Sequence, residues 1–369
     1  MKWTLPAAMF VLLLSAMPNA PLRAADNDQP SLPACAADAD LSYVCGLRRP
    51  EDLLTLPGGD FVLTSGFAPG AGLTFIDTRT HALQRAWNGS SAAGAPPAAE
   101  FKHCPEPLDP ALFNARGLSL RAIAADRWRL LVVNHGGRES IEAFDLRFDS
   151  SGTPSLQWRG CLPMPSGQVG NSVASFADGT VLVTVLTRPG TTIADFVRGG
   201  ITGAVWRWRP GASGFEQVPG TALPGNNGLE VDPDGRHFYI IAFGLHAVVV
   251  FDRDREGSPV ETIVAPDFMP DNLHWSEGRL LLAGMRLDEP ACGGLRSVAN
   301  GVADPMLCHR GWVVGELDLK QRRIATVAYG RPQPGFNGLS AATLVRGELW
   351  LGSFQSDRVA IARSDASPP

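Results

Sequence analysis

The sequence predicts an all-β chain folded as a six-bladed β-propeller, with four-stranded blades around a central channel. Three observations lead there. The first is composition: 40 glycines and 30 prolines in 369 residues are more than helices tolerate, since glycine costs helical entropy and proline removes a donor. At 44% hydrophobic, 8% aromatic and 19% charged residues, the chain still carries enough apolar surface for a large core. The second is that Gly or Pro interrupts nearly every window in which an amphipathic helix could form. The third is repetition. A strand, a tight polar turn and an apolar strand recur as "LLTLPGGDFVLTSG", "LSLRAIAADRWRLLVVN", "SVASFADGTVLVTV", "LEVDPDGRHFYIIA", "LHWSEGRLLLAG" and "LSAATLVRGELWLGS".

The six turns fall near Gly59, Asp126, Gly179, Gly235, Gly278 and Gly347. Further strand-like runs, among them "IEAFDLRF", "GAVWRWRP", "AVVVFDRD" and "GWVVGELDL", fill the intervals and give four short strands per unit. One such sheet cannot bury both of its faces alone, and six of them do so most simply by stacking radially. A β-sandwich with fortuitous repetition is the competing architecture. The propeller is placed at residues 46–363, between an N-terminal segment, 26–45, and a short tail, 364–369.

Residues 1–25 have a basic start, an apolar run of about a dozen residues and then small residues, the layout of an exported signal segment. Cleavage is expected between Ala20 and Ala25, giving a secreted or periplasmic protein. The apolar run falls short of the ~20 residues that a bilayer needs, which disfavours an uncleaved anchor, and no later segment is read as a membrane span. Six cysteines are an even number, and in an oxidising compartment pairing is the default. Nearness in sequence pairs Cys35 with Cys45 and Cys292 with Cys308, which leaves Cys104 with Cys161. No Cys-x-x-Cys spacing points to zinc or redox chemistry. A net charge of −5 provides no basic field for nucleic acid or anionic lipid.

Aligned on their turns, the units show what stands ahead of each first strand: Glu51 and Asp52, Arg116 and Gly117, Asn171 and Ser172, Asn227 and Gly228, Asp271 and Asn272, Asn337 and Gly338. First strands line a propeller's channel, so these positions converge on one ring at one mouth. A ring of carboxylate and amide oxygens without thiolate suits Ca²⁺, which accepts six to eight oxygens in flexible geometry. Glu51 and Asp271 supply charge; Asn171, Asn227 and Asn272 add neutral oxygens. Turn formation alone explains any one of these residues, but not the shared register.

The runs "CGLRRPEDLLTLPGGDFVLTSGF", "LLVVNHGGRESIEAFDL", "NNGLEVDPDGRHFYIIAFGLHAVVVFD" and "MPDNLHWSEGRLLLAG" together resemble the paraoxonase and arylesterase family, in order from about Cys45 to Ile361. More distantly they resemble the gluconolactonase and strictosidine synthase propellers. The resemblance implies a calcium-dependent hydrolase acting on small lactones or aryl esters. It places the catalytic calcium on Glu51, Asn171, Asn227, Asp271 and Asn272, and a second, structural calcium on Asp52.

Three departures stand against the pattern. Ser172 replaces a family acid, the final strand lacks the family's bridging cysteine, and the proposed histidine base is Arg116 in "FNARGLS". A guanidinium stays protonated, so Arg116 is expected to hold a carboxylate or polarise a carbonyl instead. The family's second histidine is His135 in "VVNHGG". His135 or Asp271 would supply the base, and His135 is preferred because a metal lowers the basicity of Asp271. The replaced histidine equally suits a non-catalytic propeller that binds a small molecule or a protein partner. The insertion between Arg286 and Gly311 is expected to act as a lid or a docking loop, and His81, His103, His237, His246, His274 and His309 are read mostly as surface or capping residues.

Overall fold

Each hairpin found in the sequence is the inner half of a four-stranded antiparallel sheet. The computed structural model describes residues 35–38, 40–89 and 96–362, together with Met1. The expected signal segment beyond Met1 and the tail 364–369 lie outside the described residues. Blade 1 comprises Leu53–Thr55, Phe61–Thr64, Thr74–Asp77 and Leu83–Arg85. Blade 2 comprises Ala115–Ala124, Arg127–Asn134, Ser140–Phe148 and Pro154–Pro163, and blade 3 Val173–Ser175, Val181–Val185, Ala204–Trp208 and Glu216–Gln217. Blade 4 runs through Asn226–Val231, His237–Ala242, Ala247–Asp252 and Glu261–Val264. Blade 5 runs through Phe268–Ser276, Arg279–Arg286, Trp312–Asp318 and Arg323–Gly330. In each of these blades, sequence order is spatial order.

Blade 6 closes the ring. Its inner three strands are Leu339–Val345, Glu348–Ser353 and Arg358–Ala362, and its fourth is Leu41–Cys45 from the other end of the chain. Leu41 pairs with Ala362 and Cys45 with Arg358. The boundary expected at residue 46 therefore moves back, since Leu41–Cys45 is a propeller strand. Hydrogen bonding between the two ends of the ring does the work of the absent cysteine bridge. The three disulfides are Cys35–Cys45, Cys104–Cys161 and Cys292–Cys308, as nearness in sequence suggested. They fit an oxidising compartment. Among the described residues, no helix is long and apolar enough to cross a membrane.

The core lies between blades rather than at the axis. Leu63, Phe75, Phe113, Phe144, Val132 and Val183 join blades 1, 2 and 3, and the fully buried Trp350 seals blade 6 against Val62 and Ile76 of blade 1. Strand direction then sorts the loops. Inner strands start at one mouth, so the connections between second and third strands all return to that same face. That face therefore receives Phe67, His135, the short helix Ile193–Val197, His246 and the Cys292–Cys308 insertion. Topology thus collects the side chains of these loops on one face.

At the mouth the inner strands are crowded. A Cβ on Gly117 would lie 2.7 Å from the Asn171 carbonyl oxygen, and one on Gly228 would lie 2.7 Å from that of Asp271 and 2.8 Å from Asn272 Cα. Neither glycine has a positive φ. They are needed because the next blade's backbone passes where a side chain would stand. Gly228→Ala is expected to destabilise the fold by about 2 kcal/mol through forced backbone movement, measured as a lowered urea midpoint at unchanged m. An unchanged midpoint would show that the ring has slack there.

Candidate metal centre

In three blades the residues expected at the mouth sit where the inner strand breaks register, while Glu51, Asp52, Asn171 and Ser172 precede their strands. In blade 2, Arg116 and Gly117 fall between the paired residues Ala115 and Leu118; in blade 4, Asn227 and Gly228 fall between Asn226 and Leu229; in blade 5, Asp271 falls between Pro270 and Asn272. A bulge leaves its residue out of the ladder and turns its side chain. This local geometry gathers Arg116, Asn227 and Asp271 from three blades.

The carboxylates share one electrostatic neighbourhood. Burial pushes Glu51 up to about 8; the Arg116 charge opposes that rise, and the Asp271 and Asp52 charges add to it. Burial likewise raises Asp271 to about 7, against the hydrogen bond from Asn227 and the more distant Arg296, and with the help of Asp52. Asn227 Nδ2 donates to Asp271 Oδ1 at 2.7 Å, and Glu51 Oε2 is buried with no hydrogen-bond partner. Two desolvated carboxylates, one with an orphaned oxygen and raised further by the charge of the other, beside amides able to turn an oxygen inward, are a donor set that fits a hard divalent cation. Asn171 occupies in blade 3 the position that Asn227 and Asp271 hold in blades 4 and 5, and Asn272 is the next residue along, in the place of Ser172 in blade 3. Asn337 does not join them, because its amide donates to the Met306 carbonyl at 3.1 Å and accepts from the Arg310 amide at 3.2 Å, anchoring the insertion.

Asp52 has a different setting. Its Oδ2 accepts from the Leu118 amide of blade 2 at 2.7 Å, and its Oδ1 accepts from the Leu53 amide at 2.9 Å and from His274 Nε2 at 2.7 Å. Ser172, in the corresponding place of blade 3, accepts from the Leu229 amide of blade 4 at 3.2 Å. Both side chains tie one blade to the next.

His274 corrects its expected place at the surface. It is 3% exposed, with Nε2 on Asp52 and Nδ1 3.4 Å from Glu230 Oε2. Burial alone would lower the imidazole. The charge and hydrogen bonds of Asp52 and Glu230 outweigh it and raise His274 to about 10, so the ring is an imidazolium at neutral pH. The channel below the mouth thus contains a cation supplied by the chain.

Arg116 is 9% exposed, with its guanidinium 3.1 Å from the centre of the Phe67 ring and its Nε and Nη1 buried without acceptors. Burial lowers it to about 10, with Glu51 and Glu139 opposing and Arg49 adding, which leaves it charged at working pH. His135 follows the second strand of blade 2, and its Nδ1 lies 2.7 Å from Glu139 Oε2. Glu139 therefore connects His135 electrostatically to Arg116, and a donating Nδ1 leaves Nε2 free to accept.

The insertion is a fixed structure over this face. Arg310, 2% exposed, donates to the carbonyls of Leu287 and Gly294, and Met306 packs with Phe196, Phe243, Met269 and Met285. A cavity of about 330 Å³ beside it is lined by Phe196, Phe243, His246, Met269, Leu287 and Arg296. The Arg296 guanidinium stands about 6 Å from both phenyl rings.

Fold and mouth together define a six-bladed propeller with a polar, carboxylate-bearing channel entrance. The chain matches no protein-family profile and no curated protein. Among solved structures it is similar to a luciferin-regenerating enzyme, at 11% identity over 88% of this chain and 94% of that one, with a TM-score of 0.49. It is also similar to the calcium-binding protein regucalcin of Agrobacterium tumefaciens, at 12% identity over 88% and 93%, with a TM-score of 0.48. A streptogramin B lyase gives 10% identity over 88% and 97%, and a TM-score of 0.45. At these values none of the three bears on what this chain binds or does.

Proposed function

We propose that the chain is an exported, calcium-dependent hydrolase of lactones or aryl esters, with Glu51, Asn171, Asn227, Asp271 and Asn272 holding the ion. The observation that carries this reading is the pair of buried carboxylates, Glu51 and Asp271, both raised by burial, with Glu51 Oε2 unpartnered beside amide donors. Bound there, calcium supplies positive charge that polarises a substrate carbonyl. The chain's own residues do the rest. Arg116, fixed on Phe67, offers its unpartnered Nε and Nη1 to an oxygen of the substrate and orients it. His135, held by Glu139 through Nδ1, takes a proton at Nε2 from the attacking water. The apolar cavity under the insertion receives the substrate's carbon body and excludes water. Asp52, tied to His274, keeps the blades in register beneath the ion.

A second reading, a propeller that binds a small molecule or protein without turning it over, is favoured by Arg116 standing where a base is expected. One experiment separates the two. The disulfide-bonded protein is assayed against a panel of lactones and aryl esters, with and without chelator, and its calcium content is measured in parallel. Chelator-sensitive hydrolysis is expected, with His135→Gln lowering kcat by about a hundredfold at unchanged calcium content. Calcium uptake without turnover would give the second reading, and turnover indifferent to chelator would refute the first.

A further inference from the structure

We propose that the cleft between blades 2 and 3, on the face away from the mouth, binds a small molecule that carries an oxyanion on an apolar or aromatic body. This cleft, about 530 Å³, lies where the first strands end, beside the turn at Asp178 and Gly179. Five guanidiniums, those of Arg121, Arg127, Arg129, Arg159 and Arg253, meet only three carboxylates, those of Glu100, Asp145 and Asp178. All three acids are already in use. Asp145, 3% exposed, is shared by Arg129 at 3.0 Å, Arg159 at 3.5 Å and Arg127 at 3.9 Å, and Asp178 pairs with Arg253. Glu100 pairs with Arg129 at 2.7 Å.

Among the described residues Arg121 makes no ion pair within 4 Å, and Asp178 acts on it only from farther off. Arg121 is the direct cross-strand partner of Arg129, an arrangement of like charges that destabilises a sheet unless something bridges them. Its own hydrogen bonds, to Ser175 Oγ and the Ala122 carbonyl, are both 3.4 Å long. The Nε atoms of Arg127 and Arg159 are buried and make no hydrogen bond. Burial and the charge of Arg129 lower Arg121, and the Asp178 charge only partly opposes them. The opposite wall is apolar: Phe101 stacks on Trp208, and Val181 and Leu131 complete it. The Cys104–Cys161 disulfide clamps the segment bearing Glu100 and Phe101 onto blade 2, so the cleft is built before any ligand arrives. An oxyanion placed among Arg121, Arg127 and Arg159 would satisfy the unused donors while its body covers the aromatic wall.

Titration calorimetry of the full chain with phenyl phosphate, inorganic phosphate and benzoate tests this. Saturable binding is expected, tightest for a ligand with both anion and ring, and unchanged by chelator or by Asp271→Asn at the mouth. Arg121→Gln and Arg159→Gln should each weaken it about tenfold. Asp178→Asn should tighten it, because it removes a competing carboxylate and releases Arg253; a purely structural network would not give opposite signs. Preference for phenyl phosphate over benzoate would identify a phosphate ester, and the reverse a carboxylate, each supporting the site. No saturable binding of any probe up to about 10 mM, or affinities unmoved in all three variants, would overturn it. Should one arginine variant fail to fold, the other and Asp178→Asn still decide.

Discussion

His274→Ala is expected to lower the unfolding free energy by about 3 kcal/mol, among the largest single-residue effects in the molecule. The imidazolium stands between Asp52 Oδ1 at 2.7 Å and Glu230 Oε2 at 3.4 Å, and it is buried. Removing it leaves a fully buried carboxylate in the channel without its counter-charge, and water cannot replace that charge in so enclosed a place. The cost falls at the lower end of the range for broken buried pairs because Asp52 keeps the amides of Leu53 and Leu118. Urea denaturation of His274→Ala, Asp52→Asn and the double variant measures this directly. A coupling of about 2 kcal/mol or more is expected from the cycle, whereas additive effects would show that the pair is incidental. The same geometry bears on metal content. Under the proposed calcium reading, the imidazolium on Asp52 stands in for the second ion that the sequence resemblance implied, and equilibrium dialysis is expected to find a stoichiometry near one.

The contrast between His274 and its neighbours shows what a sequence can reveal. The hairpins were legible because strand, turn and strand alternate with fixed chemistry, and turns such as Asp232–Gly235 demand residues that few other structures use. At the mouth the sequence shows a register, in which Glu51, Asn171, Asn227 and Asp271 each precede an apolar run, and the metal set read from it stands as a proposal. His274 was not legible, because a histidine inside a strand looks the same whether its ring meets solvent or a carboxylate from another blade, and Asp52 lies 222 positions away. Arg296 was hidden for a related reason. It sits in an insertion with no period, and only the Cys292–Cys308 bridge and the buried Arg310 decide that it reaches Phe196 and Phe243. Glu139 could have been found, since it lies four residues beyond His135 in the same loop. The bulges that turn Arg116, Asn227 and Asp271 out of their ladders arise from packing between blades, and only the glycines at 117 and 228 hint at them.

Asp271→Asn should give two effects of opposite sign, and both follow from the proposed role of this buried carboxylate as a calcium ligand. Without calcium, Asp271 faces the charges of Glu51 and Asp52 in a desolvated pocket, so a neutral amide of the same shape removes repulsion while still accepting from Asn227 Nδ2. The calcium-free variant is therefore expected to be as stable as the parent or more stable. With calcium the order reverses. An ion at a thousand times its dissociation constant stabilises the parent by about 4 kcal/mol, and the variant, having lost half of the formal charge that Glu51 and Asp271 offer, should gain almost none of this. Unfolding midpoints for both proteins, in chelator and in calcium, give all four values. If Asp271→Asn weakened the calcium-free protein substantially, the carboxylate would be a structural hydrogen-bond acceptor. If calcium stabilised the variant as much as the parent, the ion would bind elsewhere. In either case the carboxylates at the mouth would have to be explained without a metal.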